Sequence, residues 1–219
     1  MRKVLMFALA AIVRGSAAYA QETHGYVQGA GGFSRSTGVD TGNATGEVGF
    51  RVAPNIVVFG NIGRFADMES SALQSSVDSA VNTLAANDLL VTGTTRNPAW
   101  YSLGGARIEL GKNSRVTPYA FGGVGVAHLN PSAKFLYVSG TPLSGNDTAA
   151  GADVTADVVS NGLLTQPVST TDLMLRPAGG VEIPLGKHLL GNVGYSVSRI
   201  SADSPVHAQD VIFGMGIKF

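Results

Sequence analysis

The 219-residue chain contains no cysteine. Disulfide bonds, thiolate nucleophiles and thiolate metal ligands are therefore all excluded. Charged residues are also scarce, at 14% of the chain, and basic and acidic side chains are equal in number. A protein that binds nucleic acid needs a basic excess or a basic stripe to hold the phosphate backbone, and the sequence has neither. Nucleic acid is therefore not an expected partner.

Long apolar runs are missing as well, and the one short run lies at the N-terminus. Val4–Val13 follows Arg2 and Lys3 and precedes Ala18-Tyr19-Ala20. A basic start, a short apolar stretch and a small-x-small site are typical of a secretory signal peptide, and this stretch is too short to span a bilayer as a helix. We therefore assign residues 1–20 to a signal peptide and residues 21–219 to the mature domain. No later apolar run reaches transmembrane-helix length.

What the sequence does contain is glycine, with 29 residues, and many short stretches in which apolar and polar residues alternate. Val48, Phe50 and Val52 alternate with Glu47, Gly49 and Arg51, and the last residues of the chain repeat this pattern. Such alternation indicates β-strands with one apolar face. Eight segments of this kind can be placed: Gly25–Ser34, Thr45–Ala53, Ile56–Phe65, Ala99–Leu110, Val116–Leu129, Thr171–Leu185, His188–Ile200 and Ala208–Phe219.

The connections between these segments alternate between short and long. Short turns occur at Pro54-Asn55, Gly111–Arg115 and Gly186-Lys187, whereas the longer connections are Arg35–Ala44, Ala66–Pro98, Asn130–Thr170 and Ser201–His207. Membrane barrels have short periplasmic turns and long external loops, with acids, bases and small residues inside. The sequence therefore predicts an all-β fold, an eight-stranded antiparallel up-and-down transmembrane β-barrel with a short helix in an external loop.

The polar faces carry one set of charged residues that would share the barrel interior: Glu47, Arg51, Arg107, Glu109, Arg176 and Glu182. They would either line a narrow ion path or pair with one another to fill the lumen. An eight-stranded barrel has room for little besides side chains, and an unpaired buried charge is costly. We therefore interpret the set as a barrel-interior charge network.

Two external loops are expected to carry recognition, since loops are where such scaffolds place it. Loop 66–98 has Leu73, Val77, Val81 and Leu84 at helical spacing after Ser71-Ala72-Leu73-Gln74, which fits a capping box. The pattern predicts a short helix that packs across the barrel mouth. Loop 130–170 is rich in small polar residues and is expected to be partly mobile. An external ligand or a host surface is the partner class that these loops suggest.

Aromatic residues near the predicted membrane boundaries are interpreted as an interfacial girdle. They are Trp100, Tyr101, Tyr119, Phe121, Tyr195 and Phe219.

The C-terminal stretch Val211–Phe219 alternates apolar residues and ends in an aromatic residue. Together with Pro118–Gly125 (Pro-Tyr-Ala-Phe-Gly-Gly-Val-Gly), it resembles the small OmpA/OmpX-like outer-membrane barrel domains over the whole mature chain. The resemblance implies insertion into outer-membrane lipid and recognition of the last strand by the barrel-assembly machinery. That assembly signal comprises Val211, Phe213, Met215, Ile217 and Phe219. Longer members carry a periplasmic peptidoglycan-binding domain, which this sequence lacks.

No catalytic, cofactor-binding or metal-binding motif is present, and the histidines show no ligand spacing. The expected function is therefore non-enzymatic, a structural or surface-interaction role of a monomeric outer-membrane barrel. Three alternatives stay open: a narrow passive pore for ions or small solutes, a membrane enzyme acting on lipid or peptide, and a soluble lipocalin-like binder.

We predict that the exported protein begins at Gln21. Intact-mass spectrometry of protein purified from cell envelopes should give a chain lacking residues 1–20, because signal peptidase cleaves after the small-x-small site. A mass that retains Arg2, Lys3 and Arg14 would contradict the assignment. An Ala20→Leu variant, in which the cleavage position is blocked, serves as the control for the unprocessed form.

Overall fold

The computed structural model describes residues 25–36, 39–68, 70–111, 116–143, 148–202 and 204–219, so the predicted signal peptide 1–20 lies outside the described residues. These form ten strands and two helices: β1 (Gly25–Ser36), β2 (Val39–Ala53), β3 (Ile56–Phe65), α1 (Ser71–Ala85), β4 (Leu89–Arg96), β5 (Ala99–Glu109), β6 (Thr117–Leu129), β7 (Ser132–Gly140), α2 (Thr155–Ser160), β8 (Thr170–Pro184), β9 (Leu189–Ile200) and β10 (Val206–Lys218). Neither helix has the length and hydrophobicity needed to cross a membrane.

Eight of the strands close into a barrel in the order β1, β10, β9, β8, β6, β5, β3, β2. Every neighbouring pair is antiparallel. The first and last strands complete the ring, where the Gly25 amide donates to the Phe219 carbonyl at 2.8 Å and the Phe219 amide donates back at 2.9 Å. The predicted eight-stranded barrel is therefore confirmed.

The alternation in the sequence becomes an inner and an outer face of the barrel. On β10, Phe213 and Met215 are 53% and 62% exposed, whereas Asp210 is fully buried. On β2, Val48 and Phe50 are exposed and Glu47 is buried. The apolar residues therefore point away from the barrel axis and the polar residues point into it, as the sequence predicts.

One predicted connection is wrong. Residues 35–44 were expected to be a long loop, but β1 extends to Ser36 and β2 begins at Val39, and the two strands pair along this stretch. The Ser, Thr, Asn and Gly residues there resemble loop composition, yet they continue the alternation, since Asn43 points inward and is buried. The strict alternation of short and long connections therefore fails at this hairpin.

The two long loops contain structure that the sequence pattern did not reveal. β4 and β7 pair with each other in a separate two-stranded sheet, and α1 and α2 pack onto it. We call α1, β4, β7 and α2 the loop module. Its own apolar core consists of Leu73, Val77, Ala80, Leu84, Leu89, Val91, Phe135, Tyr137, Val154, Val158 and Leu164. The sheet was missed because its two strands lie far apart in the chain and neither has a long alternating pattern.

The free edge of β7 is covered by the segment that leads into α2. The Tyr137 amide donates to the Ala152 carbonyl at 2.9 Å, and the Val154 amide donates to the Phe135 carbonyl at 3.0 Å. Asp153 accepts from the Thr155 amide and hydroxyl, which lowers the pKa of its carboxyl, and the nearby Lys134 ammonium lowers it further. This cover removes one of the two exposed strand edges of the sheet.

Helix α1 lies where the spacing of its apolar residues predicts, but its cap differs from the prediction. The N-cap is Ser70, whose hydroxyl accepts from the Leu73 amide at 3.4 Å. Gln74 instead accepts from the Thr95 hydroxyl at 2.7 Å, so the capping box at Ser71 and Gln74 is wrong. The apolar face of α1 packs into the core of the loop module.

The loop module should lose its order independently of the barrel. Phe135 is fully buried in the module core, so Phe135→Ala should cost about 3–5 kcal/mol of local stability. Limited proteolysis of the refolded protein should then cut within residues 66–98 and 130–170 on the order of a hundredfold to a thousandfold faster.

Val138→Ala is the matched control, because Val138 lies on the same strand and is exposed. It should leave the cleavage rate close to that of the parent protein. A Phe135→Ala variant that cleaves no faster, or one whose barrel also unfolds, would contradict a separately packed module.

Candidate functional site

The barrel interior holds a buried cluster of charges centred on Arg107. One guanidinium nitrogen lies 3.1 Å from a Glu47 carboxylate oxygen and another lies 3.5 Å from Glu182. The arginine is only 1% exposed. Its guanidinium carbon lies 5.1 Å from the centre of the Tyr26 ring and 4.2 Å from that of Tyr119. Two carboxylates and two aromatic faces therefore surround one buried cation.

Glycines on the neighbouring strands make room for these rings. Gly49 pairs with Tyr26 across β1 and β2, and Gly180 pairs with Tyr119 across β6 and β8. A Cβ added at Gly49 would lie 2.4 Å from the Tyr26 ring, and one at Gly180 would lie 2.5 Å from the Tyr119 hydroxyl. Part of the high glycine content is thus explained, because a narrow barrel can hold a large ring only opposite a residue without a side chain.

The carboxylates of this cluster are bound by further donors. Glu47 accepts from the Tyr26 hydroxyl at 2.6 Å, from Gln28 at 2.8 Å and from Asn61 at 3.1 Å. Glu182 also pairs with Lys218 from the last strand. A buried carboxylate needs this many donors, because an unpaired buried charge would strongly destabilise the folded protein.

Arg51 and Glu109 form a separate pair near the short turn between β2 and β3. Their closest nitrogen and oxygen atoms are 2.5 Å apart, and Arg51 also donates to the Pro54 carbonyl at 2.7 Å. This pair is less enclosed than the Arg107 cluster, because about a fifth of the Arg51 side chain is exposed.

Arg176 belongs to a second interior cluster with a partner that sequence reasoning did not select. It lies 3.2 Å from the Asp210 carboxylate, and it donates to Ser196 at 3.0 Å and to the Tyr101 hydroxyl at 2.5 Å. Asp210 also accepts from Ser34. The alternation along β10 puts Asp210 on the inner face, so the sequence could have placed it among the interior charges, although not as the partner of Arg176.

Above Arg176, towards the loop module, the interior becomes apolar. This layer contains Phe65, Met68, Ala99, Leu129, Met174, Ile200, Val206 and Ala208. Between the two charge clusters the enclosed cavity measures only about 10 Å³, close to the space of one water. The described interior between and above the two clusters is therefore filled mainly by side chains.

Three of the six predicted girdle aromatics lie inside the barrel. Tyr101 and Tyr119 are buried, and Phe121 packs edge-on against Phe59 at 5.1 Å between ring centres. Each of the three is an even number of residues away from inward-facing residues of its own strand. Its side chain therefore points inward, although the residue lies near a predicted membrane boundary. Trp100, Tyr195 and Phe219 do point outward, as a girdle requires.

The residues of the expected C-terminal assembly signal all lie on the outer face of the last strand or directly after it. Val211, Phe213, Met215, Ile217 and Phe219 are between 43% and 62% exposed. Among the residues that the structure describes, no group of three or more His, Asp or Glu side chains is arranged to hold a metal ion.

Removing the central cation should destabilise the whole barrel. Arg107→Met leaves Glu47 and Glu182 without their shared partner, and the free energy of unfolding should fall by about 3–5 kcal/mol. Urea unfolding of the protein in detergent micelles measures this change. Arg107→Met combined with Glu47→Gln should recover part of the loss, because one of the stranded charges is then gone.

Arg35→Met provides the comparison, since Arg35 pairs with Asp40 at 3.9 Å where both side chains are largely exposed. It should cost less than about 1 kcal/mol. Equal losses for Arg107→Met and Arg35→Met would show that the buried pairing does not hold the barrel together.

Comparison with known proteins identifies the fold. No protein-family model matches the chain, and no curated protein matches its sequence. Among solved structures, Neisserial surface protein A is 13% identical, with a TM-score of 0.53 over 90% of this chain and 97% of that one. A major outer-membrane protein of Thermus thermophilus is 13% identical, with a TM-score of 0.49 over 91% of this chain and all of that one. The attachment invasion locus protein Ail of Yersinia pestis is 14% identical, with a TM-score of 0.48 over 91% and 100%. The match to Neisserial surface protein A, together with the closed ring of eight antiparallel strands, shows that the chain has the fold of the small eight-stranded outer-membrane β-barrels.

Proposed function

We propose that the chain is a bacterial outer-membrane barrel with a non-enzymatic, structural or surface-interaction role carried by its loop module. One observation carries this proposal: the lumen is filled with paired side chains, whereas the two longest loops build a separately packed module at one end. Loops held by a rigid barrel are where binding functions concentrate. The barrel is the anchor, and the module presents the surface that partners meet.

The outer surface of the barrel supports membrane insertion. Its exposed side chains include many large apolar residues, among them Phe33, Ile62, Val126, Leu173 and Phe213. Around a water-soluble protein, a continuous apolar band of this kind would be an aggregation liability. Facing lipid it is the expected composition, and the closed ladder leaves no strand edge unpaired in hydrocarbon. A lipocalin-like binder needs the reverse arrangement, with polar residues outside and an apolar pocket inside.

The alternative of a passive pore is less well supported. Ion conduction needs a continuous aqueous path, but the described interior combines two charge clusters with an apolar layer, and the cavity between the clusters has room for about one water. A membrane enzyme would need polar groups that substrate can reach, and the strongest polar clusters are enclosed. These features favour the non-enzymatic role.

We also propose that the last strand is read by the barrel-assembly machinery. Its outward row from Val211 to Ile217, followed by the terminal Phe219, presents exposed apolar side chains at every second position. Such a row is accessible before the barrel closes, and afterwards it contacts lipid. The proposed partners are thus outer-membrane lipid, the assembly machinery during insertion, and an external ligand or host surface at the module.

The test is fractionation of cells, followed by gel electrophoresis with and without boiling and by proteinase K treatment of intact cells. The proposal predicts an outer-membrane band whose mobility changes on boiling, and cleavage within residues 66–98 or 130–170 from outside the cell. The same treatment of permeabilised cells provides the control. A soluble band without a mobility change, or a module cut only after permeabilisation, would contradict the proposal.

A further inference from the structure

The two-stranded sheet of the loop module has two edges, and the edge of β7 is covered by the chain itself. The Phe135 carbonyl accepts from the Val154 amide at 3.0 Å, and the Phe135 amide donates to the Thr155 hydroxyl at 2.9 Å. The amide and the carbonyl of Tyr137 are both bound by residues of the segment that leads into α2. At these two positions, all backbone groups of β7 that point away from β4 therefore have partners.

The opposite edge belongs to β4 and has no such cover. Gly93 lies directly opposite Phe135, and Val91 lies opposite Tyr137. Residues opposite each other in an antiparallel pair point their backbone groups either both towards or both away from the partner strand. Val91 and Gly93 therefore point theirs outwards, as does Thr95 two residues further along. Among the residues that the structure describes, none bonds to the amides or carbonyls of these three, which we call the free edge.

The chain already pairs with the same side of β4 just beyond the free edge. The Asn97 carbonyl accepts from the Met68 amide at 2.9 Å, and the Asn97 amide donates to the Asp67 carboxylate at 2.7 Å. After Met68 the chain turns away into α1, which begins at Ser71. An extended segment that continues this line would lie along the free edge.

The free edge can be reached from outside the module. Gly93 has no side chain, and a Cβ added to it would lie 2.5 Å from Val77 of α1. The glycine is nevertheless partly exposed, so the exposed part is its backbone. Strand edges are usually protected by lysine, by proline or by inward charges, and residues 89–95 contain none of these. An unprotected edge of this kind is a template for strand addition.

The side chains beside the free edge define what an added strand would carry. On the sheet face away from α1, Leu90 is 50% exposed, and two exposed threonines separate it from Arg96. Arg96 is exposed and forms no salt bridge with any residue that the structure describes. On the other face, the partly exposed Val81 of α1 lies over the free edge. These contacts favour an aliphatic side chain at the Leu90 end and an acidic one at the Arg96 end.

We propose that the free edge of β4 binds an extended segment of a partner protein, which adds a third strand to the sheet of the loop module. The proposal rests on the proposed function, in which this module presents the recognition surface. The amides and carbonyls of the free edge exchange hydrogen bonds with every second residue of the segment. An acidic side chain of the segment pairs with Arg96, and an aliphatic one packs on Leu90. The backbone bonds supply affinity, and the two side-chain contacts supply specificity.

The probe is the synthetic peptide Glu-Val-Thr-Val-Thr-Val-Leu with fluorescein at its C-terminus. Its binding to the full chain in neutral detergent micelles is followed by fluorescence anisotropy. An antiparallel peptide places its glutamate beside Arg96, its leucine beside Leu90 and its valines opposite the free edge, and we expect saturable binding. N-methylation of the valines removes the donors that face β4 and should weaken binding on the order of a hundredfold.

The same peptide N-methylated at its threonines and its leucine is the matched control. Those amides point away from β4, so binding should stay within about threefold of the unmodified peptide.

Thr95→Pro tests the edge from the side of the protein. Proline removes an amide that points outwards and leaves the ladder between β4 and β7 intact, and binding should weaken about tenfold or more. Thr95→Val is the matched control, because it loses the same hydroxyl bond to Gln74 but keeps the amide. If Thr95→Pro does not fold, Arg96→Glu still decides: it should weaken binding of this peptide and restore it for a peptide that begins with lysine.

Absence of saturable binding, or equal binding of the two methylated peptides, would overturn the proposal. Self-association of the chain that Thr95→Pro abolishes would overturn the partner segment as the occupant, because the edge would then hold a second copy. A failure of the proposed function would appear separately, as a soluble band in fractionated cells, since the peptide assay uses purified protein.

Discussion

Closure of the backbone ladder between the first and last strands is the constraint on which the rest of this structure depends. In hydrocarbon no water is available to satisfy an unpaired amide or carbonyl, so a sheet can exist there only as a ring. The paired bonds between Gly25 and Phe219 complete that ring. Once it is closed, every strand has one face towards the surroundings and one towards a narrow interior, and the alternating sequence has only one arrangement that buries its polar side chains.

The narrow interior then determines which polar residues it can hold. Eight strands enclose about enough space for side chains, so each buried charge must find its partner within the lumen. Arg107 pairs with two carboxylates. Arg176 pairs with Asp210, which also accepts hydrogen bonds from serine hydroxyl groups. Glycines opposite tyrosines provide the remaining space. An interior filled in this way stabilises the barrel and leaves the loop end as the place for recognition.

Much of the barrel could be predicted from the sequence because each of its strands carries a long local signal. Val48, Phe50 and Val52, for example, reveal the outward face of β2 without knowledge of any other strand. The same alternation identifies which charged residues point into the interior. Which charge meets which depends on strand register, and so the pairing of Arg176 with Asp210 required the structure.

The missed features share a different cause. The hairpin around Asn43 is made of polar residues that also suit loops, and only pairing along β1 keeps them extended. β4 and β7 stabilise each other, although β5 and β6 lie between them in the sequence. The core that they share with α1 and α2 stabilises them further. Tyr101 and Tyr119 were assigned by residue type, although the parity of Tyr101 with Arg107 and Glu109 along β5 indicated the interior.

Nitroxide scanning of β10 tests the central claim most directly, and the absence of native cysteine allows a single cysteine to be introduced at each position in turn. In lipid vesicles, labels at 211, 213, 215 and 217 should be accessible to oxygen dissolved in the bilayer and shielded from a water-soluble nickel complex. Labels at 210, 212 and 216 should be protected from both. Oxygen access at every second position, starting at 211, would establish a lipid-facing apolar surface around a filled interior. Ready access of the nickel complex to labels at 213 and 215 would contradict it.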